Sequence, residues 1–230
     1  MTSSVPTLSV TGLSHQWPGQ HQPMLNVPTL ALAPGETVFL HGPSGCGKST
    51  LLALLAGVLP VQQGQVLWQG QPRPQGLDAW RGQHLGLVFQ QFNLLPYLSA
   101  LENVLLPCRL SAPRFQQAQA TAGSAAAQAR ALLRGMDLPA ALHTRPAAQL
   151  SIGQQQRVAA ARALIGGPAL VLADEPTSAL DETTRDLFMH TWLSQAREAG
   201  SAMLFVSHDL RLAAHFQRQL TWQDLQGGLA

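Results

Sequence analysis

His41-Gly42-Pro43-Ser44-Gly45-Cys46-Gly47-Lys48-Ser49-Thr50 follows a strand-length apolar run, Thr37 to Leu40, and opens a helix-like run, Ser49 to Ala56. It spells GxxxxGK[ST], the phosphate-binding loop pattern, in the strand, loop and helix setting that the pattern requires. Gly42, Gly45 and Gly47 free the backbone to turn successive N–H groups toward one concavity at a helix N-terminus, where the dipole favours anions. Pro43, Ser44, Cys46 and Thr50 complete that cradle. Lys48 is the only lysine in the chain. It is expected to put a full charge on β- and γ-phosphates, while the Ser49 hydroxyl ligates Mg²⁺. The bland alternative, a glycine-rich turn with a surface lysine, has to explain why strand, loop and helix fall in register.

Outward from the loop, Leu8 to Leu13, Gly86 to Phe89, Ala169 to Ala173 and Ala202 to Val206 are further strand-length apolar runs, several of them apolar on both faces. Buried parallel strands have that character. Helical patterns over Gln154 to Ile165 and Thr183 to Ala199 alternate with them, so an α/β fold with a mostly parallel sheet follows. Arg114 to Ala148, rich in Ala, Gln and Arg, reads as helix rather than linker. At 230 residues the chain suits one sizeable domain, and 46% apolar content can fill its core. Net charge is +2, too small to announce nucleic-acid binding, so no nucleic-acid partner is expected. No signal peptide is visible, and the longest apolar run, Leu51 to Leu59, is far short of the roughly 20 residues of a membrane span. With only Cys46 and Cys108, the composition suits a reducing compartment, and a soluble, cytoplasmic chain is expected.

The run Leu170-Val171-Leu172-Ala173 ends in Asp174-Glu175, at the strand edge where an open parallel sheet places its ligand crevice. Asp174 is the candidate Mg²⁺ holder, and Glu175 the candidate general base for an attacking water. His208 comes two residues after the strand Ala202 to Val206 and is expected to project at the same edge. Up to this point kinase, GTPase and transport ATPase all remain open.

Leu150-Ser151-Ile152-Gly153-Gln154, followed by Gln155-Gln156-Arg157, resembles the signature motif of the ATP-binding cassette (ABC) ATPases, which kinases and GTPases lack. In the same order and spacing, Gln90 in Val88-Phe89-Gln90-Gln91 resembles the lid glutamine of that family, Ser178-Ala179-Leu180-Asp181 its D-loop, and His208 in Val206-Ser207-His208-Asp209 its switch histidine. The resemblance covers nearly the whole chain. It implies a P-loop NTPase of ABC type: a single domain over 1–230, with 1–90 and 151–230 forming a catalytic core with an antiparallel β subsheet, and about 91–150 an α-helical subdomain. It implies ATP and Mg²⁺ as cofactors, with Gln90 sensing metal and water and His208 contacting the γ-phosphate. It also implies a head-to-tail homodimer, or a heterodimer with a second ATPase subunit, in which Ser151, Gly153, Gln154 and Asp181 complete the partner's nucleotide pocket. Ser151 is a good N-cap, so the helix after it presents an anion site of its own. Ile152 stands where the first of two glycines is usual, and its branched side chain predicts an ordinary helical or extended backbone there.

The resemblance further implies a transporter ATP-binding subunit, on the cytoplasmic face of the bacterial inner membrane, docked on separate transmembrane permease subunits. Phe89-Gln90-Gln91-Phe92-Asn93-Leu94-Leu95-Pro96 and Leu101-Glu102-Asn103-Val104 look most like the branch of lipoprotein-releasing, macrolide-exporting and cell-division ATPases, while amino-acid importers share enough of the wording to stay open. A role regulating a membrane complex mechanically, and a soluble non-transport ATPase, are the alternatives. Trp17, after the first strand, is the candidate for stacking on adenine. The chain ends soon after a last strand-like segment, Gln219 to Trp222, with no room expected for a C-terminal regulatory domain.

Overall fold

The computed structural model describes residues 5–74, 77–177, 180 and 182–227. Five strands form one wholly parallel sheet: β3 (Thr37–His41), β6 (Leu85–Val88), β7 (Leu170–Asp174), β8 (Ala202–Ser207) and β9 (Arg218–Thr221), in the order β6-β7-β8-β3-β9. Alternation along each strand divides its side chains between two cores. Phe39, Val171, Ala173, Met203 and Phe205 face one core, while Val38, Leu40, Leu170, Leu172, Leu204 and Val206 face the other. Every one of them is buried, which accounts for the uniformly apolar strands in the sequence.

The first core is covered by α6 (Ile152–Leu164) and α7 (Glu182–Glu198), and the second by α1 (Lys48–Leu55). A second, antiparallel sheet packs on the α1 side in the order β2-β1-β4-β5: β1 (Leu8–His15), β2 (Leu25–Leu32), β4 (Gln63–Trp68) and β5 (Gln71–Pro72). Only β1 of these four was legible in the chain. In β2 the buried positions change phase at Pro28-Thr29, and a proline fits there because β2 is an edge strand that pairs only with β1. Helix α2 (Leu77–His84) was likewise unread; Trp80 is its one buried side chain.

Between β6 and α6 the chain forms α3 (Ala100–Leu110), α4 (Ala112–Ala122), α5 (Ala125–Gly135) and 3-10 turns at Ala140–Leu142 and Ala147–Gln149. The reading of Arg114 to Ala148 as helix rather than linker holds through α4 and α5 and stops at Gly135, beyond which the chain runs through the 3-10 turns. Gly123 ends α4 with a left-handed φ of 76°, and Ser124 caps α5 by accepting from the Ala127 amide. Arg114, fully buried, donates to the carbonyls of Leu85, Ala163 and Ile165, pinning α4 to β6 and to the end of α6. The last strand ends at Thr221, one residue earlier than the sequence suggested, because Trp222 begins the short helix α8 (Trp222–Leu225) under a Thr221–Asp224 capping box. No helix among the described residues is long and apolar enough to cross a membrane.

Candidate functional site

All five parallel strands point their carboxyl ends at one edge. There β3 runs into the glycine loop, β6 into Phe89-Gln90, β7 ends in Asp174-Glu175, β8 leads to His208 and β9 delivers Trp222. A cleft of about 220 Å³ opens at this edge, lined by Met24, Ser44, Gly45, Gly47, Lys48, Ser49, Thr50, Gln90, Asp174 and Glu175. Nine of the ten are residues singled out in the chain from their motifs on three separate segments, with Lys48, Ser49, Asp174, Glu175 and Gln90 among them.

The loop geometry follows from its glycines. Gly47 takes φ 113° at the N-cap of α1, with no side chain capping the helix, so the first amides of α1 are left for an anion. A Cβ at Gly47 would meet the Trp222 ring at 3.1 Å, and one at Gly42 would stand 2.7 Å from Trp222 Cβ. The buried indole is therefore the floor beneath the loop. Lys48 is 5% exposed, and its Nζ donates to the carbonyls of Gly42 at 2.8 Å and Pro43 at 2.7 Å. These bonds hold the cation inside the loop. Cys46 Sγ, a half-buried free thiol, lies 3.9 Å from the same Nζ.

On the facing side, burial holds the Asp174 carboxyl above the usual carboxylate range; the Glu175 charge adds to the rise, and the Ser49 hydroxyl, hydrogen-bonded to it, and Lys48 oppose it. A half-buried carboxylate and a hydroxyl in contact are hard oxygen donors suited to Mg²⁺, which binds through one or two protein ligands with substrate phosphates completing its shell. The residues thus fit the ion. Glu175 adopts φ 45°, a left-handed conformation that is costly for a residue with a side chain, and its amide donates to Val206 O at 2.9 Å. The strained turn carries its carboxylate to His208, whose Nδ1 lies 3.1 Å from Glu175 Oε2.

Gln90 is exposed at the cleft. The chain beyond it is held from two sides. Arg162, whose burial lowers its pKa to about 10, donates to Phe92 O at 2.5 Å and Asn93 O at 2.7 Å, and both of those residues have left-handed backbones. The fully buried Asn103 bonds Leu95 and Leu98. Neither Arg162 nor Trp222 stood out in the sequence, because each acts through a contact distant in the chain, and nor did Met24.

The signature residues stand elsewhere. Ser151 caps α6 with a reciprocal box: Ser151 Oγ accepts from the Gln154 amide and Gln154 Oε1 from the Ser151 amide. Ile152 is helical, as its branching predicted, and 61% exposed. Ser151, Gly153 and Gln154 are not among the residues lining the cleft. Trp17 is not either; it lies just beyond β1, 38% exposed, edge-on to His15 at 4.9 Å. Of the D-loop, Ser178, Ala179 and Asp181 lie outside the described residues, while Leu180 packs 3.3 Å from where a Cβ of Gly153 would be.

Comparison with known proteins gives a consistent result. Residues 25–178 match the ABC transporter family. The chain is 44% identical over 207 residues to the uncharacterized ABC transporter ATP-binding protein YbbA of Escherichia coli K12, covering 88% of this chain and 87% of that one. It is 40% identical over 222 residues to the lipoprotein-releasing system ATP-binding protein LolD of Idiomarina loihiensis, covering 95% and 94%. A solved dimeric ATP-binding cassette, in a post-hydrolysis state bound to ADP and Pi, superposes with a TM-score of 0.77 at 30% identity, over 96% of this chain and 95% of that one.

Proposed function

Because this chain belongs to the ABC transporter family, as an ATP-binding and ATP-hydrolysing cassette subunit, we propose that two cassettes close around MgATP and so drive a separate membrane permease. The observation that carries this reading is the split of the motifs: the loop, Gln90, Asp174 and Glu175 share one cleft, while Ser151, Gly153 and Gln154 do not line it. An anion site on α6 that stands outside its own chain's cleft is suited to a second copy's nucleotide. The dimeric solved relative supports that arrangement.

In this reading the loop amides from Gly42 to Thr50 and the Lys48 ammonium bind the β- and γ-phosphates, and Trp17 stacks on adenine. Ser49, Asp174 and Gln90 hold Mg²⁺, which when bound offsets phosphate charge. Glu175 takes a proton from water as the water oxygen attacks the γ-phosphorus, and ADP leaves with the bond pair on its terminal oxygen. His208 fixes the Glu175 carboxylate through the 3.1 Å contact and reaches the γ-phosphate. Asp181 of the D-loop joins Ser151, Gly153 and Gln154 at the dimer face. Residues 1–90 and 151–230 act as the catalytic core, and residues 91–150 as the helical subdomain that receives the permease. The cassette works peripherally at the cytoplasmic membrane face, and the similarity to the lipoprotein-releasing subunit favours extrusive or mechanical work.

Turnover per chain, measured against the concentration of the purified protein, tests the shared site. A rate that rises with concentration, and rises again with a co-purified multi-span permease, is the expected result. A rate independent of both would overturn it.

A further inference from the structure

Five charged side chains meet beside the switch histidine and outside the nucleotide cleft. Arg185 on α7 is 5% exposed, and each nitrogen of its guanidinium faces a different carboxylate. Nη1 lies 2.6 Å from Asp209 Oδ2, Nε 3.3 Å from Asp186 Oδ1 and Nη2 3.5 Å from Glu182 Oε1. Arg211 closes the network from the surface, with Nε 2.9 Å from Asp209 Oδ1 and Nη1 3.0 Å from Glu182 Oε1. Asp209 also caps the turn after it by accepting from the Arg211 amide, and its own amide donates to Ser207 Oγ. The residue next to His208 is thereby fixed on both oxygens and on its amide.

The carboxylates come from two segments that the proposed chemistry brings together. Asp209 follows His208 directly, and Glu182, the first residue of α7, follows the D-loop directly. His208 itself is 58% exposed and has its 3.1 Å contact to Glu175 to hold it, so its position depends on the backbone that carries it. A planar guanidinium fork is suited to this task because it holds several carboxylates in fixed directions at once, which a lysine ammonium does not.

We propose that Arg185 is a positioning residue for ATP hydrolysis, acting through Asp209 to hold His208 against Glu175 and through Glu182 to tie that histidine to the start of α7. This rests on the roles given to Glu175 and His208 above. A displacement of the histidine by an ångström lowers the rate of the chemical step without touching the loop that binds the phosphates.

The test compares wild type, Arg185→Met, Arg185→Lys and Asp209→Asn in the full chain, measuring kcat, KM for MgATP and nucleotide affinity, with Glu175→Gln as the control. Arg185→Met is expected to lower kcat by about tenfold to a hundredfold with KM and affinity within about twofold. Arg185→Lys is expected to recover part of the loss, since one ion pair to Asp209 remains possible. Asp209→Asn keeps the arginine and cuts the link from the other end; a similar fall in kcat is expected, and this variant decides the matter if Arg185→Met does not fold. Unchanged kcat in a folded variant overturns the proposal, and so does a parallel loss of kcat and affinity, which marks fold support only. If wild type turns over and Glu175→Gln abolishes it, those outcomes count against Arg185 alone. Should Glu175→Gln leave turnover intact, the reading of the site falls and the proposal with it.

Discussion

A single backbone angle does much for this site. Glu175 sits at φ 45°, and that turn lets a carboxylate at the end of β7 reach His208 Nδ1 at 3.1 Å rather than continue the strand. Replacing Glu175 by Gln keeps the shape and removes the proposed base, so ATP is expected still to bind while turnover falls about 10²- to 10⁴-fold, measurable by phosphate release. Lys48→Ala acts on the other half of the cleft: loss of the only cation in the loop is expected to weaken ATP binding at least about tenfold, read by a nucleotide titration. Asp174 ties stability to pH. Its native carboxyl is raised above the unfolded value by burial, so the native state binds more protons between those two values and stability falls as pH rises through that window. Asp174→Asn therefore removes this slope and leaves the protein more stable at pH 7 in urea denaturation, while Mg²⁺-dependent turnover is lost.

Two short elements support the site from behind. Helix α8 places Trp222 under the loop, and the 2.7 Å separation between Trp222 Cβ and a Cβ built on Gly42 shows why this position holds glycine. Trp222→Ala is expected to cost about 3–5 kcal/mol in stability. The loosened loop is also expected to give a smaller MgATP-induced rise in Tm than wild type, seen by thermal denaturation. Helix α6 works at both ends, with the Ser151 cap at its start and, in its last turn, Arg162 gripping the carbonyls of Phe92 and Asn93. The cap was readable because Ser-x-x-Gln is a local pattern. The grip was not, since an arginine in a chain with many arginines gains meaning only from the carbonyls it meets some seventy residues away in sequence.

At the scale of the molecule, the proposed dimer puts the exposed Ile152 on the face where α6 would meet a second cassette. In a Glu175→Gln background, ATP is expected to shift the protein to a dimer in size-exclusion chromatography. Adding Ile152→Asp, a charge on a face that closure would desolvate, should leave ATP bound to a monomer. By itself the sequence determined the glycine loop between β3 and α1, the acids at the end of β7, the histidine after β8 and the parallel sheet that brings them to one edge. Those features are local: a glycine pattern, or an apolar run that must be buried on both faces, carries its own physical reason within a few residues. Tertiary structure alone decided the edge strand β2, the break of the helical region at Gly123, the floor provided by Trp222 and the Arg185–Asp209 pairing. Each of these is set by a partner distant in sequence or by a backbone turn that several residue types could make, so the energy that selects it exists only once the chain has folded.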